Sequence, residues 1–225
     1  MKILPTITTG FSGWQEKIEE IKELKLEEIA LFPTFLKQEE RKKLYQALKK
    51  IAVKRIPFVH IRSDMEIWEL DYLVDNYQTE VFNAHSQKEY PYLYDLDKYK
   101  KVTYIENTYD PLEEEEIREF AGICVDLSHL ENERIYKQER YRHNIELIEK
   151  YPCGCSHIGL AKDFQIFDRE KKSWPEDPHY LKNLSELDYL KEYPLKYFGQ
   201  FVGVEIENSI KRQLETIKYL KKILK

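Results

Sequence analysis

Cysteine is scarce in this chain. The three residues, Cys124, Cys153 and Cys155, are an odd number and sit on apolar segments. That excludes a disulfide framework and reads as buried thiols in a reducing compartment. Long apolar runs are also missing. Nothing approaches the roughly 20 residues a membrane span requires. The opening M-K-I-L-P-T-I-T-T-G is too short and too polar for a signal peptide. The expectation is a soluble, cytoplasmic protein with no membrane partner. An excess of positive charge is absent too: 36 Lys and Arg against 41 Asp and Glu leave a formal charge of -5. The whole molecule therefore exerts no attraction on nucleic acid. No Pro- or Ser-rich linker and no low-complexity tract divides the chain, so residues 1–225 read as a single domain. No Gly-rich phosphate loop follows the first apolar run, which removes support for an open, doubly wound sheet.

What the chain does have is alternation. Short apolar runs cover 3–7, 28–32, 57–61, 80–84, 102–106, 122–126, 153–158 and 201–205. Between them lie charged stretches with helical spacing, at 15–24, 38–51, 65–77, 135–150 and 210–224. The acidic run 113–116 suits the positive end of a further helix. Strand–helix alternation predicts right-handed βαβ units around a parallel sheet. Eight units predict an α/β fold, a single (β/α)₈ TIM barrel. The length is slightly below the ~250 residues usual for that barrel, so short loops are expected.

In such a barrel the chemistry sits where the strands end. The third run, P-F-V-H-I, ends on His60, and the fourth, E-V-F-N-A-H-S, on His85. The fifth, V-T-Y-I-E-N-T, supplies Glu106, and the sixth, G-I-C-V-D-L-S-H, supplies Asp126 and His129. The seventh, C-G-C-S-H-I-G-L, supplies His157, and the eighth, F-V-G-V-E-I-E-N, supplies Glu205 with Glu207 on the same face. The loop after the seventh adds Asp177 and His179 in E-D-P-H-Y. His143 falls in a charged helix and reads as a surface residue. A lone strand-end histidine is ordinarily a hydrogen-bonded structural residue. Six consecutive strand ends with imidazole or carboxylate point to metal. Mixed nitrogen and oxygen donors suit zinc, manganese, cobalt or iron better than calcium.

Other features have plainer readings. Lys162 could contact a substrate phosphate or be a solvated loop lysine. Trp174 could cover a substrate or pack its loop onto the rim. Tyr90, Tyr92 and Tyr94 read as packing residues in a chain of 17 tyrosines. Trp14 and Trp68 read as core. Cys153, Cys155 and His157 would share one face of a period-two strand.

The motifs E-N-T at Glu106, D-L-S-H at Asp126 and His129, S-H-I-G at His157 and D-P-H at Asp177 and His179 resemble the xylose isomerase-like TIM barrels. That superfamily holds sugar phosphate isomerases and epimerases, and also endonuclease IV of AP endonuclease family 2. The resemblance runs strand by strand over nearly the whole chain. It implies that Glu106, Asp126, His157 and Glu205 bind a common divalent metal, with Glu207 as the alternative to Glu205. It implies further ligands for a three-zinc cluster at His60, His85, His129, Asp177 and His179. It also implies a homodimer.

Three functions follow. The leading one is a divalent-metal isomerase or epimerase of a small sugar or sugar phosphate, using zinc or manganese. Glu106 and Glu205 would be its catalytic residues, moving protons beside a metal-polarised carbonyl. The second is a phosphoester hydrolase on two or three zinc ions, which the large stock of His and Asp favours. The loops after the fourth and seventh strands mix acidic residues with basic ones, so a nucleic-acid substrate is not favoured. The third is a non-catalytic ligand-binding barrel.

Overall fold

The computed structural model describes residues 1–10, 13–161 and 179–225. Its strands are β1 (Lys2–Leu4), β2 (Thr6–Thr8), β3 (Glu28–Phe32), β4 (Arg55–His60), β5 (Val81–Ala84), β6 (Thr103–Glu106), β7 (Gly122–Asp126), β8 (Cys153–Ile158) and β9 (Phe201–Val204). Its helices are α1 (Trp14–Leu24), α2 (Gln38–Leu48), α3 (Ile67–Tyr77), α4 (Glu114–Glu119), α5 (Leu127–Tyr136), α6 (Gln138–Lys150) and α7 (Ile210–Ile223). Every strand pairing is parallel. β1 pairs with β9 and β2 pairs with β3, so the sheet closes on itself. β1 and β2 are one stave of the barrel, broken at Pro5, which has no N–H to offer a ladder. The Pro5 carbonyl still accepts from Ala30 N at 2.9 Å, so the stave stays attached. The architecture is an eight-stave TIM barrel. No helix among the described residues is long and apolar enough to cross a membrane.

Period-two alternation divides each strand into an outward face under the helices and an inward face. The inward set forms its own apolar cluster of Leu4, Ala30, Phe32, Phe58, Val81, Cys124, Cys155 and Phe201. Two residues further along the same strands stand His60, Asn83, Glu106, Asp126, His157 and Gly203. The barrel is thus plugged by an apolar layer with a polar layer above it. Gly203 is required at its level: a Cβ there would lie 2.4 Å from the Phe32 ring. That ring in turn packs on His157, with centroids 4.5 Å apart.

Several elements depart from expectation. Residues 127–136 form helix α5, which begins ahead of the helical spacing read at 135–150. Its buried side includes Glu131, Asn132 and Glu133, so polarity hid the helical period. The segment between β5 and β6 carries only a short 3₁₀ turn, Lys100–Val102, in place of a helix. The connection between β8 and β9 is long, which corrects the expectation of short loops throughout. It includes the 3₁₀ segments Leu184–Glu192 and Leu195–Phe198, separated at Pro194. Trp68 is 39% exposed and not core, because it stands on the outer side of α3 against the edge of Tyr45. A register shift opposite Ile123/Cys124 turns Cys153 to the outer cluster and leaves Cys155 inside, so the two thiols do not share a face.

Candidate metal centre

His60 ends β4 with its ring fixed: Nδ1 lies 3.0 Å from the Ile61 carbonyl. A carbonyl only accepts, so Nδ1 carries the hydrogen and neutral His60 presents a lone pair at Nε2. That lone pair faces Glu106 Oε2 at 3.0 Å. Two acceptors at that distance need a cation or a proton between them. His85 Nε2 approaches the same oxygen at 3.9 Å. Burial pulls the His85 imidazole down to about 4, which keeps it neutral and able to donate a lone pair.

The other oxygen of Glu106 faces the opposite way. Oε1 lies 3.5 Å from His157 Nδ1. The same nitrogen is 3.8 Å from Asp126 Oδ2 and 3.2 Å from Glu205 Oε2. His157 is fully buried, yet neither ring nitrogen has a hydrogen-bond partner among the described residues. Burial disfavours its charged form, but Glu106, Glu205 and Asp126 outweigh burial and raise it to about 10. Burial likewise opposes ionisation of Glu205, and His157 overcomes it and holds that carboxyl down at about 2. Three carboxylates around one imidazole form a site that favours positive charge.

Asp126 has divided its oxygens. As N-cap of α5, its Oδ1 accepts from Ser128 N at 2.8 Å, Ser128 Oγ at 2.6 Å and His129 N at 2.8 Å. Oδ2 is left to face His157 and, at 4.0 Å, His129 Nε2. The D-x-S-H order is therefore a capping geometry that aims the carboxylate and places His129 in the first helical turn. His129 meets Tyr109 edge-on at 5.0 Å.

Ligand atoms converge in three groups: His60, His85 and Glu106; Asp126, His157 and Glu205; and Glu106, Cys124 and His157. Within each group the atoms lie within 4.8 Å of one another. His129, His179 and Glu205 line the same cavity of ≈ 380 Å³ with His60, His85 and Glu106. Glu207 points elsewhere, into a buried ion pair with Lys17 at 3.1 Å, while Glu205 faces His157. Lys162, Trp174 and Asp177 lie outside the described residues. His143 is exposed, with Nε2 on the Leu112 carbonyl at 2.7 Å.

Sequence reasoning passed over Asn83. Its Nδ2 donates to Glu106 Oε2 at 2.6 Å, and its Oδ1 has no partner among the described residues. The signal was present: V-F-N-A places a polar residue at an inward position two before His85. Asn107 was also missed. It brackets the Asp126 backbone, accepting from N at 2.8 Å and donating to O at 3.0 Å. Asn83→Ala should weaken binding of a divalent metal at this candidate centre by about 10- to 100-fold, the usual effect of removing a group that orients a ligand. Competition against a fluorescent chelator measures this, and unchanged affinity would count against an orienting role.

No protein-family model matches the chain, and no curated protein matches it. Among solved structures it is similar to the probable 3-DHS dehydratase AsbF involved in petrobactin synthesis from Bacillus anthracis, at 13% identity and a TM-score of 0.47. That match covers 100% of this chain and 98% of the other. It is also similar to N-(5'-phosphoribosyl)anthranilate isomerase from Pyrococcus furiosus, at 10% identity and a TM-score of 0.43, over 99% of each chain.

Proposed function

We propose that this barrel is a phosphoester hydrolase with a centre of at least two divalent metal ions, zinc foremost, acting on a small phosphorylated substrate. The observation that carries this reading is the double-facing Glu106. One of its oxygens meets His60 and His85, and the other meets His157 beside Asp126 and Glu205. A shared carboxylate between two donor sets is the arrangement a pair of cations needs. The orphaned nitrogens of His157 and the lone pair of His60 fit that occupancy. His60, His85 and Glu106 would hold one ion; Glu106, Asp126, His157 and Glu205 would hold the other. His129 and His179 on the cavity wall extend the donor set towards a third. Bound there, such ions supply Lewis acidity and a nucleophile at neutral pH.

The protein's own part is positional. Asn83 and Ile61 fix the Glu106 and His60 donors, and α5 fixes Asp126. The half-buried Glu205 borders both the cavity and His157, so it can take a proton from an incoming group. The cavity volume suits a molecule of sugar size, which supports a small substrate over a duplex.

The isomerase or epimerase reading keeps one specific support. Glu106 and Glu205 approach His157 Nδ1 at 3.5 and 3.2 Å, as they would flank a single ion with a carbonyl substrate. Elemental analysis of protein purified without a metal-affinity tag separates the two. Two or three zinc ions per chain with turnover of p-nitrophenyl phosphate is the expected result. One ion per chain with no phosphatase activity, and turnover on a panel of sugars and sugar phosphates, would replace it with the isomerase.

A further inference from the structure

We infer that Arg62 anchors a second phosphate of the substrate, apart from the phosphoester at the metal ligands, so that the substrate is a small molecule with two phosphate groups. The inference rests on the hydrolase reading for its first phosphate only.

Arg62 follows the ligand His60 by two residues and lines the same cavity. It is the sole Lys or Arg among the described residues of that lining. Two of its three guanidinium nitrogens are held. Nε donates to Asp64 Oδ1 at 2.8 Å, and Nη1 donates to the Thr34 carbonyl. Nη2 donates to no protein acceptor among the described residues, and the side chain is 30% exposed. An Nη2 group without a protein acceptor, on a side chain that lines the cavity, is available to a phosphate oxygen.

The clamp is itself built on a buried network. Asp64 Oδ1 also accepts from Arg41 Nη1 at 3.0 Å, and the Asp64 carbonyl accepts from Arg41 Nη2 at 3.1 Å. Arg41 is fully buried, and its remaining donors go to Leu36 O at 2.8 Å and to Glu69 at 2.8 and 2.7 Å. All five guanidinium donors are therefore used. Beside Arg62, Ser63 O accepts from Leu93 N at 2.9 Å, and Tyr92 Oη donates to His85 O at 2.8 Å. The Arg62 loop and the His85 loop are thus tied, which fixes the spacing between the cation and the ligands.

Charge balance gives the second reason. Glu106, Asp126 and Glu205 bring three negative charges to the cluster, and two divalent ions bring four positive. One phosphoester satisfies that remainder, and a second phosphate needs a cation of its own, which Arg62 provides.

The test compares fructose 1,6-bisphosphate with fructose 6-phosphate, and glucose 1,6-bisphosphate with glucose 6-phosphate, on the zinc-loaded protein. Affinities are read as inhibition constants against p-nitrophenyl phosphate where it turns over, and by calorimetry where it does not. Absence of turnover then sinks the hydrolase reading without touching the anchor. The wild type should favour at least one bisphosphate by about tenfold or more, the size of a charge-assisted contact. Arg62→Gln should shrink that preference to within about threefold. No preference in the wild type, or one that survives in Arg62→Gln, would overturn the inference. Should the glutamine variant fail to fold, Arg62→Lys is read instead, since it keeps the charge and loses the fork. A preference cut at least about threefold supports the anchor, and an undiminished one overturns it.

Discussion

Glu106→Gln should reduce turnover by about a thousandfold or more and lower the metal content from two ions to at most one per chain. The substitution keeps the shape of the side chain. It can still accept from Asn83 Nδ2, now 2.6 Å from the carboxylate, so the layer above the apolar plug keeps its packing. What it loses is specific. The amide presents one oxygen and one N–H₂ group, so only one of the two donor sets retains an acceptor. The other set meets hydrogens where it needs a lone pair. His60 Nε2 and His157 Nδ1, 3.0 and 3.5 Å from the two oxygens, cannot both be served. Circular dichroism should be unchanged, while elemental analysis and kcat both collapse. A variant that keeps two ions and full turnover would show that Glu106 is not shared.

The inward polar residues were legible because two rules coincide at them. A parallel strand buried on both faces should be apolar throughout, so a carboxylate or imidazole at its end is conspicuous. Barrel closure then converts sequence-distant strand ends into neighbours, and Glu106, Asp126 and His157 do meet. Asn83 obeyed the same rule and was overlooked because asparagine reads as a turn former. Helix α5 was hidden for a different reason. Its buried face carries Glu131 and Glu133, which find partners in Arg134, Arg140, Asn144 and Tyr193 only in the fold. A pattern of hydrophobicity cannot register a polar face that tertiary contacts satisfy. Arg62 and Arg41 illustrate the limit most clearly. Each reads as a surface cation, and each is defined by loops some twenty to thirty residues away, Thr34 and Asp64. Nor does the strand pattern report on Glu205 against Glu207, since both point the same way along an ideal strand. Their separation comes from Lys17 of α1, which draws Glu207 into its own buried pair.

Removing the metal should lower the melting temperature by about 8–16 °C. Ions that bind only the folded chain stabilise it by mass action, by about 4 kcal/mol at a free concentration a thousandfold above Kd. For a domain of about 150–250 residues, each kcal/mol moves the midpoint by roughly 2–4 °C. The site gives reason to expect the full effect. Its candidate ligands come from β4, the residue after β5, β6, β7, β8 and the end of β9, so opening any of these strands disperses them. Without an ion, all three carboxylates face His157, and Glu106 also faces His60 at 3.0 Å. The His157 imidazole is raised to about 10 for this reason, yet it has no aligned hydrogen bond with any of the three. The metal-free fold therefore survives with a strained polar layer over an intact apolar plug. Differential scanning calorimetry before and after dialysis against a chelator, with metal loss verified by elemental analysis, reads the shift. Glu106→Gln, holding at most one ion, should show about half of it, because one donor set still contributes. A shift below about 2 °C after verified removal would mean that the cluster does not couple ion binding to the barrel's closure, and the polar layer would then be a hydrogen-bonded cap.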